Sequence, residues 1–165
     1  MASFTFKGMK EYEAIISKMY ADTAKICGRS IYAAAGIVAD EIRSGIEQIP
    51  AKPDKYALIA YQKKWQAPIT ETQKKGLADG FGISPLQEED GYWNVKLGFD
   101  GYNGTKTKKF PKGQPNQLVA RSIESGTSAI KKYPFVRPAV ARSQKRAVEA
   151  MQKVIDADLT EKMKG

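Results

Sequence analysis

"TQKKGLADGFGISPLQEEDGYWNVKLGF", residues 72 to 99, is the stretch on which the fold turns. Ala78, Gly82, Ile83 and Ser84 fall at the spacing of the turn in a DNA-reading helix-turn-helix. In that motif the second helix lies in the major groove, against phosphates. Here it would be "PLQEED", stopped by Gly91, and it would carry Glu88, Glu89 and Asp90 into a polyanion. Neutralising phosphate drives affinity for DNA, so each of those carboxylates opposes binding. The segment is also too short to cross the groove. The competing reading is a helix, a glycine turn and one arm of a hairpin that leads into "YWNVKLGF". There Trp93, Val95, Leu97 and Phe99 point one way and Tyr92, Asn94, Lys96 and Gly98 the other, the period of a strand. The stretch therefore predicts a hairpin and not a DNA reader.

Just upstream, Thr70 is placed to N-cap a short helix through Ala78 that ends at Gly80. Residues 51 to 70 leave two readings open. Tyr56, Leu58 and Ala60 alternate, whereas Tyr61 and Trp65 sit at helical spacing. Nearer the N-terminus, "SFTFKG" predicts a short strand with Phe4 and Phe6 on one side, ended by Gly8. Tyr12, Ile15, Ile16 and Met19 then mark one face of a helix. Asp22 or Thr23 caps a second helix, whose stripe is Ile31, Ala34, Val38, Ile42 and Ile46. Ala33, Ala35 and Gly36 allow close packing along it, and Pro50 and Pro53 stop it.

Downstream lies a loop, residues 100–117, rich in Gly and Pro, with Lys106, Lys108, Lys109 and Lys112 against Asp100. That content predicts a flexible segment outside the core. "QLVARSIESG" leans helical, with Asn116 as cap, Val119 and Ile123 at i, i+4, and Gly126 just past the end; a strand competes. The last helix begins near Pro138, with Val140, Ala147, Met151, Val154 and Ile155 as its expected buried face. Together these elements predict an α+β chain, an antiparallel sheet packed against long N-terminal and C-terminal helices. They form one domain: strand plus helices over 1–49, a sheet region over 50–126, and a turn plus C-terminal helix over 127–165.

Composition narrows the function. The 165 residues include 27 basic and 18 acidic side chains, a net charge of +9, which favours an anionic partner. The chain has no histidine and one cysteine, Cys27. Histidine-based nucleophilic pairs and the usual zinc sites are therefore absent, and no intramolecular disulfide can form. "GTKTKK" lacks the glycine that a P-loop needs directly before its lysine. Trp93 and Asn94 stand where an RNA-recognition strand needs a small residue and a stacking aromatic. No nucleophile, base and oxyanion donor assemble, so the expectation is a protein without catalytic activity, cofactor or metal. The apolar run Ile31 to Ala39 is far short of the ~20 residues that span a bilayer, and Glu11 and Glu13 break any signal-peptide pattern, so no membrane role is expected.

Two passages carry more. "NQLVARSIESGTSAIKKYPFVRPAV", residues 116 to 140, places Glu124-x-Gly126-Thr127-Ser128 before a short turn and then Pro134-Phe135-Val136-Arg137-Pro138-Ala139. With "GFGISPLQEEDGYWNVKLGFDGYN" and "TKTKKFPKGQPNQL", it resembles the gene-product-ten-like tail-completion, or head–tail joining, proteins of HK-type siphophages, in a subgroup from prophages of Gram-positive bacteria. Many members carry Pro-Val-Asp-Thr-Gly after the long helix, of which Ile49, Pro50 and Asp54 mark what remains here. The resemblance implies a structural virion protein, assembled in a bacterial cytoplasm, that forms a usually hexameric ring with itself. It implies docking to tail-tube and head-connector proteins; the Gly, Pro and Lys content of loop 100–117 makes that loop the candidate docking segment, with a loop facing DNA or a plain solvated loop as the alternatives. On physical grounds, Gly126 ends its element with positive φ, Phe135 and Val136 anchor the turn, and Arg137 pairs with Glu124. The competing class is a basic nucleic-acid-binding protein of a mobile element, using the loop lysines with Arg142, Lys145 and Arg146 on the last helix.

Overall fold

The structure is a computed structural model and describes Ser17, residues 22–63 and residues 65–164. The strand expected at residues 3–8 and the helix face of Tyr12, Ile15, Ile16 and Met19 lie outside the described residues. Along the chain come α1 (Thr23–Gln48), β1 (Ala51–Lys52), α2 (Asp54–Gln62), β2 (Ile69–Thr70), α3 (Glu71–Gly80), β3 (Phe81–Ile83), β4 (Gln87–Glu89), β5 (Tyr92–Asn94), β6 (Leu97–Phe99), α4 (Asn116–Ser125) and α5 (Val136–Lys164). The chain is an α+β domain in which the long first and last helices pack together over small sheets.

At 1.5 Å per residue, the 26 residues of α1 and the 29 of α5 span about 39 and 44 Å. They run antiparallel. Arg29 meets Asp158 at 2.9 Å near one end, Arg142 and Arg146 share Glu41 in the middle, and Gly45 lies against Phe135 at the other end. The contact is made by small buried residues: Ala34, Ala35 and Ala39 on α1, Ala139, Ser143 and Ala147 on α5. Small side chains let the two backbones come close, so dispersion contacts replace bulk. The buried hydroxyl of Ser143 donates to the carbonyl of Ala139 at 2.7 Å and is thereby satisfied.

The expected buried face of α5 needs one correction. Val140 is 43% exposed, while Ala147 is buried and Met151, Val154 and Ile155 are half-buried. The reason is Phe135, buried just before the helix begins. Seating its ring sets the rotation of the helix, so Ala139, Ser143 and Ala147, each four residues on, face inward. At the other end, Asp22 precedes α1 without a side-chain capping bond, and its carboxylate binds Lys162 of α5 instead.

The apolar centre joins Ile42, Ile46 and Ile49 to Ile69, Leu77, Phe81, Val119, Ile123 and Phe135. Burying each such side chain contributes about 1.5–3 kcal/mol. Phe81, Phe99 and Phe135 stack in a chain, with ring centroids 5.1 and 5.9 Å apart.

The sheet is divided into pairs. β3 and β6 are antiparallel, with Phe81 opposite Phe99, and Ser84 prolongs the pairing: its N–H donates to the Lys96 carbonyl and its hydroxyl oxygen accepts from the Lys96 N–H, each at 2.8 Å. β4 and β5 are antiparallel too, with Glu89 opposite Tyr92. "YWNVKLGF" is thus not one unbroken strand. Between Ser84–Lys96 and Gln87–Asn94 the register slips by one residue, so Pro85 and Leu86 face Val95 alone. Proline has no N–H to give the ladder, and a two-against-one bulge results. The alternation holds at Tyr92, Lys96 and Gly98, exposed, and at Leu97 and Phe99, half-buried, but beside the bulge Asn94 is half-buried together with Trp93 and Val95 and does not lie on the exposed face expected of it. Asp90 and Gly91 close the hairpin with φ of 53° and 80°, the two positive values that a tight Asp-Gly turn requires.

Residues 51 to 70 resolve as a helix between two short strands. β1 and β2 pair in parallel, with Ala51 opposite Ile69, a pairing the sequence reading did not contain. α2 crosses over between them. Thr70 caps α3 as expected, through a reciprocal capping box with Gln73.

Candidate docking site

The motif at residues 124–138 is a carboxylate clasp. Glu124, near the end of α4, is buried, and it faces the start of α5. One carboxylate oxygen accepts from the N–H of Phe135 at 2.8 Å and of Val136 at 2.9 Å, and the other from the N–H of Arg137 at 3.1 Å. The first N–H groups of any helix lack partners within it. Glu124 supplies them from eleven residues upstream, and its charge suits the positive end of the helix dipole. The expected pairing with Arg137 is present at 3.4 Å, but that guanidinium is largely exposed and adds little to the backbone bonds. Burial works against the charged form of Glu124. The three N–H donors and Arg137 outweigh it, holding the carboxyl below its ordinary value.

Each neighbour in the motif has a mechanical part. Gly126 ends α4 with φ 77°, and a side chain there would press on Lys132. Thr127 folds the turn: its hydroxyl accepts from Ala129 and Ile130 N–H, while its own N–H donates to the Ile130 carbonyl. Ser128 and Pro134 lie exposed in the connection. Phe135 fills the space left by Gly45, and Pro138 sits in the first turn of α5, where its missing N–H costs nothing.

The lysine loop departs from expectation at its base. Instead of lying wholly outside the core, it stands on a buried stem. Asn103 and Asn116 are 4% and 3% exposed. The Asn116 side chain donates to the carbonyl of Asp100 at 2.8 Å, and the Asn103 N–H donates to Gln114 at 2.9 Å. Asn116 thus opens α4 while its side chain ties the stem, and the residue at the cap position is Pro115. The stem lies along α3: Asp100 beside Gly80, Asn103 beside Gly76, Gly104 beside Thr72. A side chain on Gly76 or Gly80 would overlap it, and one on Gly113 would overlap the Asn103 carbonyl. From the sequence Gly80 reads only as a helix end and Asn116 only as a cap, and Gly76, Asn103 and Gly113 are not marked as parts of the stem. The signal available was the i, i+4 pair Gly76 and Gly80 on one face of a capped helix, which marks a close backbone approach.

Above the stem the tip turns tightly, with Thr107 and Phe110 exchanging backbone bonds of 3.1 Å. Lys106, Lys108, Lys109 and Lys112 are all exposed. Among the described residues no ion pair engages any of them, and Lys109 lies 5.6 Å over the Phe110 ring. The basic cluster on α5 is differently placed. Arg146 and Arg142 converge on Glu41, lowering its pKa, and Lys145 is 3.9 Å from Glu149. The structure therefore does not bring the two basic groups to one surface role: the loop lysines are unpaired among the described residues, whereas Arg142 and Arg146 fasten α5 to α1 and Lys145 stays on its own helix.

A cleft of about 290 Å³ between the ends of α1 and α5 is lined by Asp22, Lys25, Arg29, Asp158, Glu161 and Lys162, whose charges balance. Among the described residues no three cysteine or carboxylate groups converge as metal ligands, and no helix is long and apolar enough to cross a membrane. Compared with protein-family models, curated proteins and solved structures, the chain finds no match.

Proposed function

We propose that the chain is a structural virion protein that completes the head–tail junction of a long-tailed phage or prophage. It acts by assembling with copies of itself into a ring and by docking to connector and tail-tube proteins. It is assembled in the host cytoplasm, ends in the virion, and uses no cofactor. One observation carries the reading: four lysines, unpaired among the described residues, are held on a tip whose stem is buried and hydrogen-bonded. A charged tip on a rigid base loses little freedom on docking, and such charges speed and orient encounter with an acidic protein face. The clasp adds support, because the motif that suggested the family has a complete mechanical rationale without a reacting group.

A second reading, a nucleic-acid binder, draws on the same lysines and the +9 net charge. Against it stand Glu41, which occupies Arg142 and Arg146, and the exposed acids of the β4–β5 hairpin. A duplex-binding titration across salt separates the two. Four lysines on phosphates would give a log–log slope of about −3.6, at roughly 0.9 per contact, with clear binding at low salt. The docking reading expects no duplex binding at low salt; a steep slope would overturn it in favour of the second.

A further inference from the structure

The lysine tip has a counterpart on the same chain that it cannot reach. Glu88, Glu89 and Asp90 form the exposed tip of the β4–β5 hairpin, and among the described residues only Glu89 of these has a cation, Lys96 at 2.9 Å. The two tips leave the β3–β6 ribbon from opposite ends. The hairpin continues past Ile83 and Leu97, whereas the loop departs past Phe99, where the Asp100 N–H binds the Gly80 carbonyl. Their supports are also far apart along α1. Leu86 would meet any side chain at Gly28, and the Tyr32 hydroxyl donates to Ser84, so the hairpin rests on the start of α1. α3, which backs the loop, reaches the end of α1 through Lys74, bonded to the carbonyls of Glu47 and Ile49. From Tyr32 to Glu47 is about 22 Å along the helix. That distance between their supports exceeds the screening length of roughly 8–10 Å at physiological salt, which argues against the two charge sets neutralising each other within one copy.

Each tip also bears an aromatic side chain left in water: Tyr92 beside the acids is 76% exposed, and Tyr102 below the lysines 69%. Tyrosine with this exposure is the type of residue that anchors protein contacts once desolvated. Opposite charges and exposed tyrosines at opposite ends of one subunit make two different, complementary surfaces. That is the requirement for a head-to-tail contact, which closes into a ring when the rotation permits.

We propose that the lysine tip of one copy receives the Glu88–Asp90 hairpin tip of the next. The inference rests on the reading of the loop as a docking surface and names its partner as a second copy of this chain. The direct test mixes isotopically light and heavy protein, joins amines to carboxylates with a zero-length carbodiimide, and maps the joined peptides. The expected product links residues 106–112 of one isotope to residues 88–90 of the other. In parallel, K106E/K108E/K109E/K112E and E88K/E89K/D90K are each expected to lose species above the 18.2 kDa monomer. Their equimolar mixture, and the chain carrying both sets, are expected to regain them. Thermal unfolding of each variant verifies that it is folded. If larger species form but light–heavy joints fall elsewhere and both variants still assemble, this contact is wrong while the ring reading stands. If the parent stays monomeric and no joint between chains forms, the contact is wrong and the ring reading loses its support as well.

Discussion

Glu124 concentrates the energetics of the clasp in one side chain. Replacing it with alanine removes three acceptor bonds from a helix start and leaves the N–H groups of Phe135, Val136 and Arg137 without their partner. Urea denaturation is expected to show a loss of about 2–3 kcal/mol, in the range for charged hydrogen bonds and helix caps. Arg137→Ala, an exposed partner at 3.4 Å, is expected to cost less than about 1 kcal/mol. Titration gives an independent check. The Glu124 pKa is lowered from an ordinary 4.5, so between the folded value and 4.5 the unfolded chain holds a proton that the folded chain does not. The stabilisation is therefore complete above pH 4.5 and is lost as pH falls through the folded value. Asp22, Glu41 and Asp54 are shifted in the same direction and act alike. In Glu124→Gln the acid-side fall in stability is expected to be shallower than in the parent; equal slopes would remove Glu124 from the account.

At the scale of elements, the lysine tip and its stem separate by experiment. Gly80→Ala puts a methyl against the Asp100 carbonyl and the Asn116 amide. It is expected to destabilise by about 1–3 kcal/mol, even though alanine favours the helix by about 1 kcal/mol. K106E/K108E/K109E/K112E touches only solvated side chains and is expected to leave the urea midpoint within about 0.5 kcal/mol of the parent. Similar losses from both would contradict a rigid stem bearing a free tip. The elements also show what was legible in the sequence. Thr70 and Gly126 marked helix ends because capping and positive φ are local demands, and the alternation around Tyr92 to Phe99 marked most of its faces for the same reason. The parallel pairing of Ala51 with Ile69, the bulge opposite Val95 and the buried Asn103 depend on segments far apart in the chain, and no local period announces them. Val140 was misplaced because five apolar residues on α5 fit more than one helical face, and only the seating of Phe135 selects among them.

For the whole molecule, the arrangement is a long α1–α5 spine, a clasped turn that starts α5, and two oppositely charged tips at separate ends of the ribbon. In the function proposed above, the work of this arrangement is done by the placement of surfaces. Assembly through charged tips is expected to weaken with ionic strength, so the fraction of larger species, followed by sedimentation, should fall between low and high salt. A fraction that rises with salt would indicate an apolar contact instead. Negative-stain imaging of the purified chain at high concentration and low salt tests the central claim most directly. Closed rings of whole copies are the expected result. Single copies alone at every concentration, together with duplex binding that weakens steeply with salt, would contradict it.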